Sequence, residues 1–126
     1  MRALSIRQPW AHAVVHCGKD IENRCWTTAY RGQLAIHAGA SCTASAYAEV
    51  REWIGRNAPS AKVPARADLQ RGGLIGVVTL VDVRPPRKSG TPYGPWHDGY
   101  SYAWILADPR EVPFSPLPGK LKIFHV

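Results

Sequence analysis

The stretch that decides the fold runs from Leu4 to Ala38, 4-LSIRQPWAHAVVHCGKDIENRCWTTAYRGQLAIHA-38. It opens on a short strand-like run, Ala3-Leu4-Ser5-Ile6, and turns at Gln8-Pro9. Proline suits the first position of a helix, where its missing N–H is not needed. A short apolar helix is therefore expected from Trp10 to about Cys17. It ends at Gly18, a residue type that readily takes the left-handed conformation found past helix C-termini. A charged segment follows, Lys19-Asp20-Ile21-Glu22-Asn23-Arg24, and then the apolar strand Gln33-Leu34-Ala35-Ile36-His37-Ala38. Arg2, Arg7, Lys19, Arg24 and Arg31 alternate along the stretch with Trp10, Trp26 and Tyr30. Phosphate binding needs the first kind of side chain and base stacking the second.

The rest of the chain extends this pattern. Its 126 residues match the size of one domain, and a composition 45% hydrophobic and 20% charged is that of a folded protein rather than a disordered one. The expected organisation is a single domain over residues 1–126. No apolar run approaches the ~20 residues that cross a bilayer. Arg7, Gln8 and Pro9 break the N-terminal apolar stretch, which argues against a signal peptide. Three cysteines, Cys17, Cys25 and Cys42, fit free thiols better than a disulfide frame. A cytoplasmic location is the expectation. The net charge of +7 favours a polyanionic partner.

Ala44, Tyr47, Val50, Trp53 and Ile54 recur at helical spacing, so an amphipathic helix is expected over Ser41 to Arg56, with Ser41 as its cap. Asn57 to Gly73 reads as a connection with a helical turn near Ala67 to Gln70. Leu74 to Val83 is β-branched and nearly all apolar, the pattern of a strand buried on both faces. Lys88 to Gly99 is a Gly/Pro loop carrying Tyr93, Trp96 and His97. Tyr100 to Ala107 alternates as a strand, with Tyr100, Tyr102 and Trp104 on one face and Ser101, Ala103 and Ile105 on the other. Asp108-Pro109-Arg110 reads as a turn, Val112 to Phe114 as a short edge element, and Lys120 to Val126 as the closing strand. These elements make an α+β protein, a small mixed β-barrel flanked by two or more helices. Strands from the two ends of the chain would pair and close it.

The motifs Leu4-Ser5-Ile6-Arg7-Gln8-Pro9-Trp10-Ala11, Gly18-Lys19, Ile21-Glu22, Arg24, Trp26, Thr28, Tyr30-Arg31-Gly32 and Ile36-His37-Ala38 resemble the ASCH (activating signal cointegrator homology) domain of the PUA-like superfamily. Leu74-Ile75-Gly76-Val77-Val78, Tyr102 to Leu106 and Gly119-Lys120-Leu121 extend the likeness along the chain. The resemblance implies a β-barrel flanked by helices, with a cleft beside the first helix, and RNA or another nucleic acid as partner. It also implies an alternative, a hydrolase acting on RNA (a ribonuclease) or on a modified nucleoside. One branch of the family hydrolyses acetylated cytidine with a lysine and a nearby threonine. Lys19 matches that lysine, whereas Glu22 stands where the threonine is expected.

The candidate nucleic-acid-binding residues are thus Arg7, Gln8, Trp10, Lys19, Arg24, Trp26, Tyr30 and Arg31, with Tyr93 or Trp96 capping the cleft. Lys19 and Glu22 are the catalytic pair of the hydrolase alternative. Alternation in an extended segment puts Asp20, Glu22 and Arg24 on one side, so Glu22 and Arg24 are placed to pair. Arg7 and Gln8 precede a helix start, where free N–H groups attract anions. Trp26 and Tyr30 either stack bases or cover the barrel end. His12 and His16 have a zinc-compatible spacing, but no Cys-x-x-Cys or His-Glu-x-x-His motif accompanies them, so no metal and no cofactor are expected.

Overall fold

Pairing in the mixed sheet follows from which segments carry apolar alternation. A computed structural model, which describes residues 1–126, resolves them into β1 (Arg2–Ile6), α1 (Trp10–His16), β2 (Ile21–Arg24), β3 (Gly32–Ala38), α2 (Ala44–Asn57), β4 (Gly73–Arg84), β5 (Tyr102–Pro116) and β6 (Ile123–His125). The strands form one sheet in the order β2-β5-β4-β3-β1-β6. Only β1 and β3 run parallel; the other neighbours are antiparallel. The result is an α+β half-barrel. The first and last strands pair as expected, Arg2 opposite His125 and Leu4 opposite Ile123, and the Met1 amino group donates to the Val126 carbonyl at 3.1 Å. That pairing does not close the sheet, because β2 and β6 remain its two edges.

The concave side holds the main core, built from Leu4, Ile6, Val14, Leu34, Ile36, Val78, Leu80 and Trp104. The helix α1 lies over it and buries Ala11, Ala13, Val14 and Val15. It sits directly on β4 at Gly76, where a Cβ would fall 2.6 Å from Val15 Cγ2 and 2.8 Å from the Arg110 carbonyl oxygen. A second cluster joins Ala13, Ile21, Ile54, Trp96 and Ala103. Trp104 and Ala103 are neighbours in β5 yet both are fully buried, each in a different cluster. The alternation in β5 therefore separates two cores rather than a core from solvent.

Several boundaries differ from the sequence reading. Asp108-Pro109-Arg110 is no turn: β5 runs straight through it, and Asp108 takes a positive φ of 52° at an irregularity in the β4–β5 ladder. Aspartate is among the few residues that tolerate this conformation. The cap of α2 is Thr43 rather than Ser41, its hydroxyl accepting from the Ala46 N–H at 3.2 Å. Lys120, Leu121 and Lys122 precede the closing strand as a loop, and β6 keeps only Ile123–His125. Pro9 stands just before α1, and the Gln8–Pro9 bond is cis. Three first-turn amides of α1 are already engaged and not open to an anion: Ala11 N donates to Arg7 O, His12 N to Gln8 Oε1 and Ala13 N to Pro9 O.

Gly76 leaves no room for a side chain beneath Val15 of α1, so Gly76→Ala tests this packing. The added methyl should destabilise the protein by about 1–3 kcal/mol, the usual cost of overfilling a packed interior. Urea unfolding measures it, and an unchanged or raised midpoint would contradict the described contact.

Candidate functional site

The edge strand β6 reaches only as far as Leu4, so Ser5, Ile6 and Arg7 continue beyond it without a strand on that side. Across the gap lies β2, the other edge of the sheet. Between them no backbone ladder forms. Instead Arg24, on β2, donates from Nη2 to the Ser5 carbonyl oxygen at 2.8 Å. One side chain thus bridges the open seam of the half-barrel.

Arg24 is held in turn by Glu22. Its Nε lies 2.9 Å from Glu22 Oε2, the pairing expected from strand alternation. The other carboxylate oxygen, Oε1, accepts from Lys19 Nζ at 2.8 Å. Lys19 also donates to the Ile21 carbonyl oxygen and is only 3% exposed. Gly18, at φ 73°, turns the chain after α1 so that Lys19 doubles back onto β2. Burial alone would raise the Glu22 carboxyl, but the charges and hydrogen bonds of Lys19 and Arg24 outweigh it and hold the group below its ordinary value.

The seam opens into a cavity of about 680 Å³, lined among others by Ser5, Arg7, Trp10, Glu22, Arg24 and His37 and by the loop Gly119–Lys122. Such a volume is in the usual range for a ligand site. Arg7, Lys120 and Lys122 line it and make no salt bridge within the chain. Buried His37 fastens the loop: Nε2 lies 2.8 Å from the Leu117 carbonyl oxygen and Nδ1 2.9 Å from Ser5 Oγ. A carbonyl only accepts, so these partners assign the proton to Nε2 and make Nδ1 the acceptor for the Ser5 hydroxyl. Gly119 passes so close that a Cβ there would lie 2.8 Å from His37 Cε1.

A second cavity of about 310 Å³ adjoins the first and shares Trp10, Glu22 and Asn23 with it. Lys19, Trp53, Trp96, Asp98 and Tyr100 complete its wall. Trp10 meets Trp53 edge-on at 5.3 Å between ring centroids, and Trp53 meets Trp96 at 5.6 Å. Asn23 ties the 88–99 loop to β2, donating to the Trp96 carbonyl at 3.0 Å and accepting from the Asp98 N–H at 3.1 Å.

Of the residues singled out in the sequence, Arg7, Trp10, Lys19, Glu22 and Arg24 come together along this double cleft, and Trp96 joins them. Gln8 lies behind it, buried, with its amide donating to the Gln70 carbonyl and accepting from His12 N. Trp26 packs edge-on against Trp104, whose indole N–H donates to the Trp26 carbonyl. Tyr30 and Arg31 stand apart from both cavities. The Tyr30 ring carries the Arg2 guanidinium 4.5 Å from its centroid, and Arg31 donates to the Thr28 and Tyr30 carbonyls and faces Asp82. Tyr93 also lies outside, beneath Arg87 and bonded to the Pro85 carbonyl. His12 and His16 stack at 4.7 Å, with Glu111 3.9 Å from His16.

The sequence reading did not include Ser5, His37, Lys120, Lys122, Trp53 or Tyr100 among the site residues. The run Pro118-Gly119-Lys120-Leu121-Lys122 was the available signal, a Pro-Gly turn carrying two lysines. Assigned to a strand, it offered no cleft.

Comparison with known proteins supplies the family. The ASCH domain model matches residues 4–116. Activating signal cointegrator 1 from Homo sapiens is 29% identical over 98% of this chain, and the Mus musculus protein of the same name is 28% identical over 98%. The chain spans 22% of the length of either relative.

Glu22→Gln should destabilise the fold by about 3–5 kcal/mol, because it leaves Lys19 buried without its counter-charge. The carboxyl is held below its ordinary 4.5, so its contribution is complete above about that pH and is lost as pH falls through the lower folded value. The stability gap between parent and Glu22→Gln should therefore shrink on acidification below pH 4.5, measured by chemical unfolding across a pH series. A gap that stays constant or widens would contradict the charged pairing.

Proposed function

This chain belongs to the ASCH domain family, and from that premise we propose that it binds nucleic acid, RNA first of all, along the seam of its half-barrel. The observation that carries the reading is a set of cations at the seam with no salt-bridge partner, Lys122 meeting only the face of the Trp26 ring at 5.6 Å. Arg7, Lys120 and Lys122 line the larger cavity from different segments of the chain, and no carboxylate of the protein neutralises them. The one carboxylate in that wall, Glu22, is already paired with Lys19 and Arg24. A polyanion supplies what these cations lack, and the protein's net charge of +7 acts in the same direction at longer range.

Within this reading the residues divide by task. Arg7, Lys120 and Lys122 contact phosphates. Arg24 shapes the wall and presents the rest of its guanidinium to the cleft. Lys19 and Glu22, paired with each other in the wall itself, hold it rigid. A hydrolase built on Lys19 and Glu22 gains no support from this geometry, since both groups are buried and engaged with each other. The human and mouse relatives are named as signal cointegrators, and a nucleic-acid-binding module suits a part of such a protein.

Titration of single-stranded RNA and of duplex DNA at two salt concentrations tests the proposal. Affinity should fall steeply as salt rises, because bound lysines and arginines release counterions from the phosphates. Lys120→Ala and Lys122→Ala should each weaken binding and lower the salt slope by about one unit, with stability unchanged in Lys120→Ala and lowered by no more than about 1 kcal/mol in Lys122→Ala, which loses the Trp26 face. Absence of binding at low salt would reject the proposal.

A further inference from the structure

The two large apolar side chains most open to solvent in the whole molecule are Leu121, 94% exposed, and Tyr100, 78% exposed. They lie far apart in sequence, yet both line the double cleft. Leu121 borders the larger cavity and Tyr100 the smaller, and Trp10, Glu22 and Asn23 form the wall common to both. Leaving such groups in water is unfavourable, and neither is exposed through looseness of the chain around it.

Tyr100 is presented by a braced turn. The Asp98 carboxylate accepts from the Tyr100 N–H at 2.9 Å, the Ser101 N–H at 2.8 Å and the Ser101 hydroxyl at 2.6 Å. Gly99, at φ 86°, lies where a Cβ would fall 2.5 Å from the Gly90 carbonyl oxygen, so the loop closes tightly on itself. Leu121 is presented by a different device. His37 anchors the loop at Leu117, and Lys122, directly after Leu121, takes a φ of 57° that non-glycine residues seldom adopt. Lys120 and Lys122 flank Leu121 in sequence and line the same cavity.

We propose that Tyr100 and Leu121 are base-contacting residues at the two ends of the cleft, and that the bound nucleic acid is a single strand whose unpaired bases lie against them. This rests on the reading of the cleft as a nucleic-acid site. An aromatic ring and an apolar side chain offer faces on which any base stacks or packs, and the cations of the larger cavity hold the backbone. In a duplex the base faces are already stacked on one another, so a paired ligand gains nothing from Tyr100.

The test separates bases from phosphates. A fluorescently labelled oligouridylate and an abasic ribose-phosphate strand of the same length carry the same charges. At low salt the parent protein should bind the oligouridylate roughly tenfold or more tightly than the abasic strand. That advantage should persist in Tyr100→Phe and disappear in the Tyr100→Ala/Leu121→Ala double variant, with the salt slope unchanged because the lysines remain. If parent protein binds both strands equally, the inference is overturned while phosphate binding by the cleft stands. A base advantage that survives intact in the double variant also overturns it, because the bases are then held elsewhere. If neither strand binds at low salt, the reading of the cleft itself fails and the inference falls with it.

Discussion

One buried carboxylate sets the geometry of the site. Glu22 sits out of water with both oxygens engaged, one by Lys19 and the other by Arg24. An ionised carboxylate in that position is tolerated only with such partners. Satisfying it fixes three things together. The chain after α1 must turn at Gly18 to bring Lys19 back, β2 must keep its register on β5, and Arg24 must extend across the seam to Ser5. The walls of the cleft are therefore consequences of neutralising one charge.

The open seam is where this fold departs from a closed barrel. Closing it would require β2 and β6 to pair, and β6 is too short to reach past Leu4. The protein substitutes one side chain, Arg24, for a ladder across the seam, while His37 fastens the loop that lines the cleft. His37 spans Ser5 and Leu117 and so joins β1, β3 and the loop before β6 through a single ring. A hydrogen-bonded ladder leaves no room for a ligand between strands, whereas a seam crossed by one side chain leaves space beside it.

Much of the fold was legible in the sequence because it rests on periodicity. The continuous apolar run of β4 and the short helix bounded by Pro9 and Gly18 follow from local pattern, and apolar strands at the two chain ends made their pairing legible. The Glu22–Arg24 pair was legible for the same reason, since residues two apart in a strand share a side. Lys19 was not. Alternation sets it on the opposite side from Glu22, but it precedes β2 in a glycine turn, so strand geometry does not apply to it. The chain through Asp108-Pro109-Arg110 misled in a related way. Asp-Pro is usual turn chemistry, and only the ladder to β4 keeps that segment in a strand with Asp108 in a left-handed conformation. Tyr30 and Arg31 drew attention by composition, yet Tyr30 meets Arg2 and Arg31 meets Asp82, tertiary contacts that no short motif encodes. The loop Gly119–Lys122 illustrates the same limit, because its role depends on a histidine more than eighty residues earlier.

The union of the chain ends has a bearing on how such a unit is carried. The Met1 amino group and Val126 carbonyl meet at 3.1 Å, and the Val126 N–H returns to the Met1 carbonyl at 2.9 Å. Polypeptide joined at either end would depart from a single point, as when a bead hangs from one knot in a string. That point lies at the far end of β6 from Lys122, which lines the cleft. Any neighbour fused there would leave from the end of β1 and β6 opposite Ser5 and Lys122, so even a short tether need not cover the cleft.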